Sequence, residues 1–411
     1  MFYSLLIHLY SFFIALAAPF HKKARLMRLG QWKTNSILRE KIDRNAKYIW
    51  FHAASLGEFE QGRPMMEKIK ADYPQYKILL TFFSPSGYEV RKNYEGADVI
   101  CYLPFDSPYK VKKFIHLANP AMAIFIKYEF WSNYLHELRR NHIPTYIISA
   151  IFRPEQIFFK WYGRGYRKVL RCFDHLFVQD DQSLQLLQRY GIPNATVAGD
   201  TRFDRVWDVY NRRREIPAVE QFVDQAKANG QRILVAGSSW PQDEAIFIEY
   251  FNNQPDIRLI IAPHEIHREH LMHIEALLKR SSIRLSDGFA RDKFNRDCII
   301  VDSFGMLSSI YRYADIAYIG GGFGAGIHNT LEAAVYGIPV LFGPKYQKFK
   351  EARDLIAIGG AFSITKASEF DDRMNDLLTY NELREEAGKA AGRFVCEHTG
   401  GTQKILAALP L

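Results

Sequence analysis

Ile316-Ala317-Tyr318-Ile319-Gly320-Gly321-Gly322-Phe323-Gly324-Ala325-Gly326 is a short apolar run that breaks into the densest glycine cluster of the chain. Ile327-His328-Asn329-Thr330-Leu331-Glu332-Ala333-Ala334 follows and opens a helix. Strand, small-residue turn and helix in that order form the unit of a parallel sheet wrapped by helices. Backbone without Cβ atoms lets a phosphate approach closely. Gly321, Gly322 and Gly324 are therefore candidate phosphate contacts, and Glu332, inside the helix that His328 and Asn329 lead into, could reach a ribose. Gly320, Gly322 and Ala325 also match a GxGxxA dinucleotide pattern. Such a site wants an acid about 20 positions on, at the next strand end, but Val340-Leu341-Phe342 runs into Gly343-Pro344.

The same rhythm extends outward in both directions. Towards the N-terminus the expected strands are 48–53, 77–82, 99–103, 121–126, 145–148, 175–178 and 196–198. The second set is 233–236, 259–262, 299–301, 316–319, 340–342 and 361–364. A chain of 411 residues exceeds what one core supports. We expect an N-terminal segment (1–30), a first doubly wound domain (31–205), a linker (206–230) and a second domain with C-terminal helices (231–411). The linker is rich in charge, with Arg212, Arg213, Arg214 and Glu215. Two such α/β domains are expected to face each other across a cleft, with ligands at the strand ends.

Four cysteines, none in a CxxC pair, point to a reducing compartment. The net charge of +9 suits an anionic partner. Basic and acidic residues are interleaved and no nucleic-acid motif is present, which argues against DNA or RNA. The N-terminus differs from the rest. Phe2 to Phe20 is almost wholly apolar and is followed by His21, Lys22, Lys23, Arg25 and Arg28. A cleaved leader carries its charges before the apolar stretch, so a retained membrane segment is expected, either spanning or lying in the interface. Its basic flank should stay cytoplasmic; a buried first helix is the alternative. Phe152 to Lys168 interleaves aromatics with bases, which fits a lipid interface or an amphipathic core helix.

Loops after strands should carry the chemistry. His52-Ala53-Ala54-Ser55-Leu56-Gly57-Glu58 delivers a carboxylate at a helix start. Glu58 there either accepts a proton from a hydroxyl or complements the helix dipole. Glu129, in Lys127-Tyr128-Glu129-Phe130-Trp131-Ser132-Asn133, occupies the equivalent place after its own strand and carries the same two readings. Gly237-Ser238-Ser239 offers N–H groups and hydroxyls for a phosphate, or simply caps a helix. His264, His267, His270 and His273 are spaced by three, not by the four of a zinc helix, so a metal reading is set aside.

Taken together these pieces resemble the bacterial 3-deoxy-D-manno-octulosonic acid (Kdo) transferases, inverting enzymes of the GT-B fold that act in lipopolysaccharide assembly. The likeness spans essentially the whole chain: the apolar N-terminus, 52–58, Ser84-Pro85-Ser86-Gly87, 128–133, Val197-Ala198-Gly199-Asp200-Thr201-Arg202-Phe203-Asp204 and the glycine loop through Glu332. It implies transfer of Kdo from CMP-Kdo to a lipid A precursor at the cytoplasmic face of the inner membrane. Glu58 would be the base, and Glu129 with Ser55 and Gly57 would hold the acceptor. Gly237, Ser238, Ser239, the 320–326 loop, Asn329 and Glu332 would hold the donor, without metal or other cofactor. One departure stands out: where the family has Pro-Arg-His, this chain has Pro263-His264-Glu265. His264, Arg268 or Lys345 would then have to meet the donor's anions. Two other readings remain open, a sugar-nucleotide 2-epimerase of the same architecture and a catalytically silent binding module.

Overall fold

A computed structural model describes residues 2–212, 215–287 and 296–411; Arg213 and Arg214 of the expected linker lie outside them. The chain divides into two compact units, Met1–Arg205 with Thr399–Leu411, and Val206–His398. Each is a doubly wound, Rossmann-like α/β domain built on a parallel sheet of seven strands.

In the first unit the strands are β1 Lys47–Ala53, β2 Tyr76–Phe82, β3 Val99–Tyr102, β4 Met122–Ile126, β5 Thr145–Ala150, β6 His175–Val178 and β7 Ala195–Val197, in the spatial order β3-β2-β1-β4-β5-β6-β7. From Tyr48 to Ala53 every residue of β1 is buried, as expected where helices cover both faces of a sheet. Alternation sorts its side chains between two cores. Tyr48 and Trp50 join one, and Ile49, Phe51 and Ala53 the other.

The second unit holds β8 Arg232–Ser239, β9 Ile257–Pro263, β10 Ser282–Arg284, β11 Cys298–Ile300, β12 Ile316–Ile319, β13 Val340–Phe342 and β14 Ala361–Ser363, in the order β10-β11-β9-β8-β12-β13-β14. Thirteen of these fourteen strands correspond to the runs read from the sequence. The missing one, β10, is an edge strand with Ile283 as its only apolar residue, paired to β11 alone.

The segment read as a linker takes in the end of the helix Arg202–Arg212 and the whole of the helix Pro217–Ala228. The tail, expected to stay with the second domain, returns to the first. Asp204 accepts the N–H groups of Gly400 (2.5 Å) and Thr402 (2.6 Å), satisfying the start of the helix Gly401–Ala408. Ile405, Leu406 and Leu409 then bury against the first unit's core.

The N-terminal stretch forms two helices, Phe2–Ala17 and Lys22–Lys41, bent by 118° at the break between them. Among the described residues no single helix is long and apolar enough to cross a membrane.

Candidate active site

Strand order singles out two places. In the first sheet the winding reverses between β1 and β4, and in the second between β8 and β12. Open α/β sheets bind ligands at such switch points, outside the carboxyl ends of the strands.

Glu58 follows β1, in the first turn of the helix Leu56–Asp72, and Glu129 follows β4. Ser55 caps that helix in extended conformation without using its side chain, and beside Gly57 the space is open. One oxygen of Glu58 accepts the Ala54 N–H at 2.5 Å. Burial, and then the negative charge of Glu129, push its carboxyl up to about 8 against that bond and the cation of Lys127. Dipole complementation alone would leave the group low, whereas burial beside Glu129 raises it.

Glu129 is buried and firmly held. His52 Nε2 lies 3.0 Å from its Oε2, and the Trp131 indole N–H donates to the same oxygen at 2.5 Å. His52 is fixed from behind: Trp50 Nε1 donates to Thr81 Oγ1, and that hydroxyl lies 2.8 Å from His52 Nδ1. His52, Trp131 and Lys127 were not singled out from the sequence. Lys127 has a φ of 67°, a left-handed backbone that no residue pattern announces. Asp200, from the 197–204 motif, is buried against Arg202 and Gln61 and so supports the loop rather than opening to a ligand.

In the second unit β8 runs on through Gly237-Ser238-Ser239, with an irregularity at Ser238. The expected phosphate turn is therefore largely strand. Ser239 is buried and its hydroxyl donates to Glu244 at 2.8 Å, while Gly237 leaves room for the Tyr311 hydroxyl. The helix that follows starts at Pro241, which has no N–H to offer.

The glycine loop divides in the same way. A Cβ on Gly320 would lie 2.3 Å from the Ser238 carbonyl oxygen, and one on Gly322 would lie 2.5 Å from Gly343 Cα. These two glycines serve close contact between strand ends. Gly321 takes a φ of 92° and gives its N–H to buried Asp243 at 2.8 Å. Gly324 has nothing nearer than 3.6 Å and remains open.

Three rings stack beside this loop. Trp240 and His264 lie 4.7 Å apart, and His264 and His328 lie 4.4 Å apart. Trp240 Nε1 donates to His328 Nε2 at 3.1 Å, which places the His328 proton on Nδ1. Burial, and then His264, hold His328 down at about 4; burial also lowers His264. The stack therefore offers neutral rings. Arg268, at the start of the helix Arg268–Leu277, is exposed and, among the described residues, makes no hydrogen bond or ion pair. Asn329 bonds Glu332 at 3.1 Å, and Lys345 reaches the Gly324 carbonyl at 2.8 Å.

The helix Phe2–Ala17 sits on the first unit's site. Tyr3 donates to buried Asp106 at 2.7 Å, and Asp106 also accepts the N–H groups of Asn133 and Tyr134. Rings continue from Tyr10 to Phe83, from Phe83 to Trp131 and from Trp131 to His52. In the 152–168 segment Phe158 and Phe159 are core, whereas Trp161 and Tyr162 are exposed.

The family model described as 3-Deoxy-D-manno-octulosonic-acid transferase (kdotransferase) matches residues 24–205. Among curated proteins, the 3-deoxy-D-manno-octulosonic acid transferase of Haemophilus influenzae is 27% identical over 374 residues, covering 87% of this chain and 85% of that one. The Aquifex aeolicus protein of the same description is 26% identical over 342 residues, covering 80% and 86%. Among solved structures, a UDP-GlcNAc 2-epimerase from Neisseria meningitidis aligns with a TM-score of 0.56 at 15% identity, covering 86% of this chain and 99% of that one. At that identity the likeness bears on fold alone.

Proposed function

We infer that this chain, which belongs to the 3-deoxy-D-manno-octulosonic acid transferase family, moves Kdo from CMP-Kdo to a lipid A precursor in lipopolysaccharide biosynthesis. The observation that carries the mechanism is the pair Glu58 and Glu129 at the switch point of the first sheet, with Glu58 raised to about 8. Glu58 takes the proton from an acceptor hydroxyl as that oxygen attacks the anomeric carbon of Kdo. The bond from that carbon to the CMP phosphate breaks, and CMP leaves with the electron pair. Attack opposite the leaving group inverts the anomeric centre. Glu129, pinned by His52 and Trp131 through Oε2, holds the acceptor through Oε1 and keeps Glu58 basic.

On the donor side, charge developing on the phosphate is met by the glycine-loop N–H groups not spent within the protein, those of Gly322, Phe323 and Ala325, and by the neutral His328 and His264, with no metal required. An apolar helix on the acceptor-side unit supports a lipid acceptor and a place at the cytoplasmic face of the inner membrane. The epimerase reading rests on fold likeness only.

The test is transfer by the purified chain given CMP-Kdo and a lipid A precursor, with and without chelator, read by mass spectrometry of the lipid. A folded Glu58→Ala variant that still transfers would remove the base. Loss of activity on chelation would remove the metal-free mechanism. A UDP-sugar epimerised without acceptor would favour the other reaction.

A further inference from the structure

Away from the carboxylates, the first unit carries a trough of cations between the helices Lys22–Lys41 and Pro108–Ala118. One part is an open groove of about 790 Å³ whose polar lining is Arg39, Arg44, Lys112, Lys113, His116 and Tyr109. It adjoins a cavity of about 370 Å³ walled by Arg28, Gln31, Trp32 and Lys110 together with Ser11 and Ile14 of the first helix. Tyr109 and Lys113 line both. No aspartate or glutamate lines either part.

Among the described residues these bases have no carboxylate partner, unlike some surface lysines. Lys77, Lys68 and Lys350 each pair with an aspartate. Among the described residues, Arg39, Arg44 and Lys112 make no hydrogen bond or ion pair. Lys110 reaches from an exposed stem over the Phe105 ring, and partial burial holds its ammonium below the usual lysine range. A desolvated cation without a counter-charge is costly, and an anion beside it removes that cost. A second, independent feature points the same way. Gln31 is 7% exposed, and its side-chain amide nitrogen is buried without a hydrogen-bond partner. A native protein leaves few such donors unpaired, and an acceptor oxygen in the cavity would satisfy this one.

We propose that this trough holds the phosphate of an anionic glycerophospholipid, gripped by Lys110, Lys113 and Arg28 and accepting from the Gln31 amide. The source of the phosphate follows from the apolar surface attached to it. The helix that contributes Ser11 and Ile14 to the cavity wall also exposes Phe12, Phe13 and Leu16, and Phe20 after it is 92% exposed. Acyl chains leaving the headgroup would lie against these side chains, with Trp32 and Tyr109 at the level of the headgroups. The proposal rests on the membrane-facing reading of the first helix.

Sedimentation of the full chain with vesicles of phosphatidylcholine, alone and with added phosphatidylglycerol, separates that reading from the proposal. Wild type is expected to bind the neutral vesicles weakly and the anionic ones much more tightly. Lys110→Gln with Lys113→Gln should cut only the anionic increment, by about thirtyfold. Gln31→Leu keeps the charge and should cut it by about fivefold. Lys366→Gln with Lys389→Gln, a charge-matched change in the second unit, should leave it roughly unchanged.

Absence of binding to both vesicles would sink the membrane-facing reading. Equal binding to both, equal loss in the control, or no loss with Gln31→Leu would overturn the lipid site. So would competition by inorganic phosphate, which would make it a free-anion site. A raised KM for the acceptor lipid in detergent with unchanged vesicle binding would make it a substrate subsite instead.

Discussion

His52 Nε2 lies 3.0 Å from Glu129 Oε2 at the sheet end, with the His52 ring fully buried and the Glu129 side chain 9% exposed. His52 and Trp131 hold the Glu129 carboxyl in place, and Glu58 feels it.

Glu58→Gln should lower turnover by about 10² to 10⁴, the range for loss of a general base, without lowering stability. Initial rates beside a thermal melt check this. A melt shifted down together with the rate would mean that the change acted through folding.

The pH dependence follows from the raised Glu58 carboxyl. A base must be ionised, so kcat/KM should climb with pH and level off above about 8. Glu129→Gln removes the second-ranked cause of the shift, and the acid limb should move to lower pH. The stability effect has the opposite sense. The folded chain keeps a proton that the unfolded chain gives up in the usual glutamate range, so this group's contribution falls as pH rises towards about 8.

His52→Ala leaves buried Glu129 with only the Trp131 donor and Thr81 without its ring partner. A loss of about 2 to 3 kcal/mol in urea unfolding is expected. An unchanged midpoint and slope would show that His52 does not hold Glu129.

For His328, held down at about 4, proton resonances should show a neutral ring throughout the physiological range. On acidification the unfolded chain protonates first, so stability from this group is lost as pH falls from the usual histidine range towards about 4. Trp240→Phe removes the N–H that Nε2 accepts, and the ring's titration should move upward.

Two glycine substitutions separate packing from ligand contact in the 320–326 loop. Gly322→Ala places a Cβ 2.5 Å from Gly343 Cα and should cost several kcal/mol, about 3 or more. Gly324→Ala meets nothing nearer than 3.6 Å and should melt normally. If it also binds CMP as tightly as wild type, Gly324 has no place in the donor site.

Local pattern carried most of the fold. Apolar runs such as Ile316 to Ile319, bounded by small residues, are legible one at a time because a covered parallel strand must be apolar on both faces. The edge strand around Ile283 escaped notice because one apolar residue makes no pattern. Glu58 and Glu129 were legible as carboxylates at strand ends. That they stand at one switch point depends on β1 lying next to β4, a pairing between segments far apart in the chain.

The glycine cluster was visible at once, but its division of labour was not. Gly320 and Gly322 are required by Ser238 and Gly343, which approach them only once β8, β12 and β13 are side by side. The destinations of Ser239, of the tail beyond Thr399 and of His52 were likewise set by distant partners: Glu244, Asp204 and Glu129. Residue type and spacing by themselves determined which segments become strands and which loops carry polar groups, because those depend on local periodicity. Which polar groups turn inward to satisfy the protein, and which stay open for a substrate, was decided by tertiary structure, because burial and hydrogen-bond partners are properties of neighbours that the linear order does not contain.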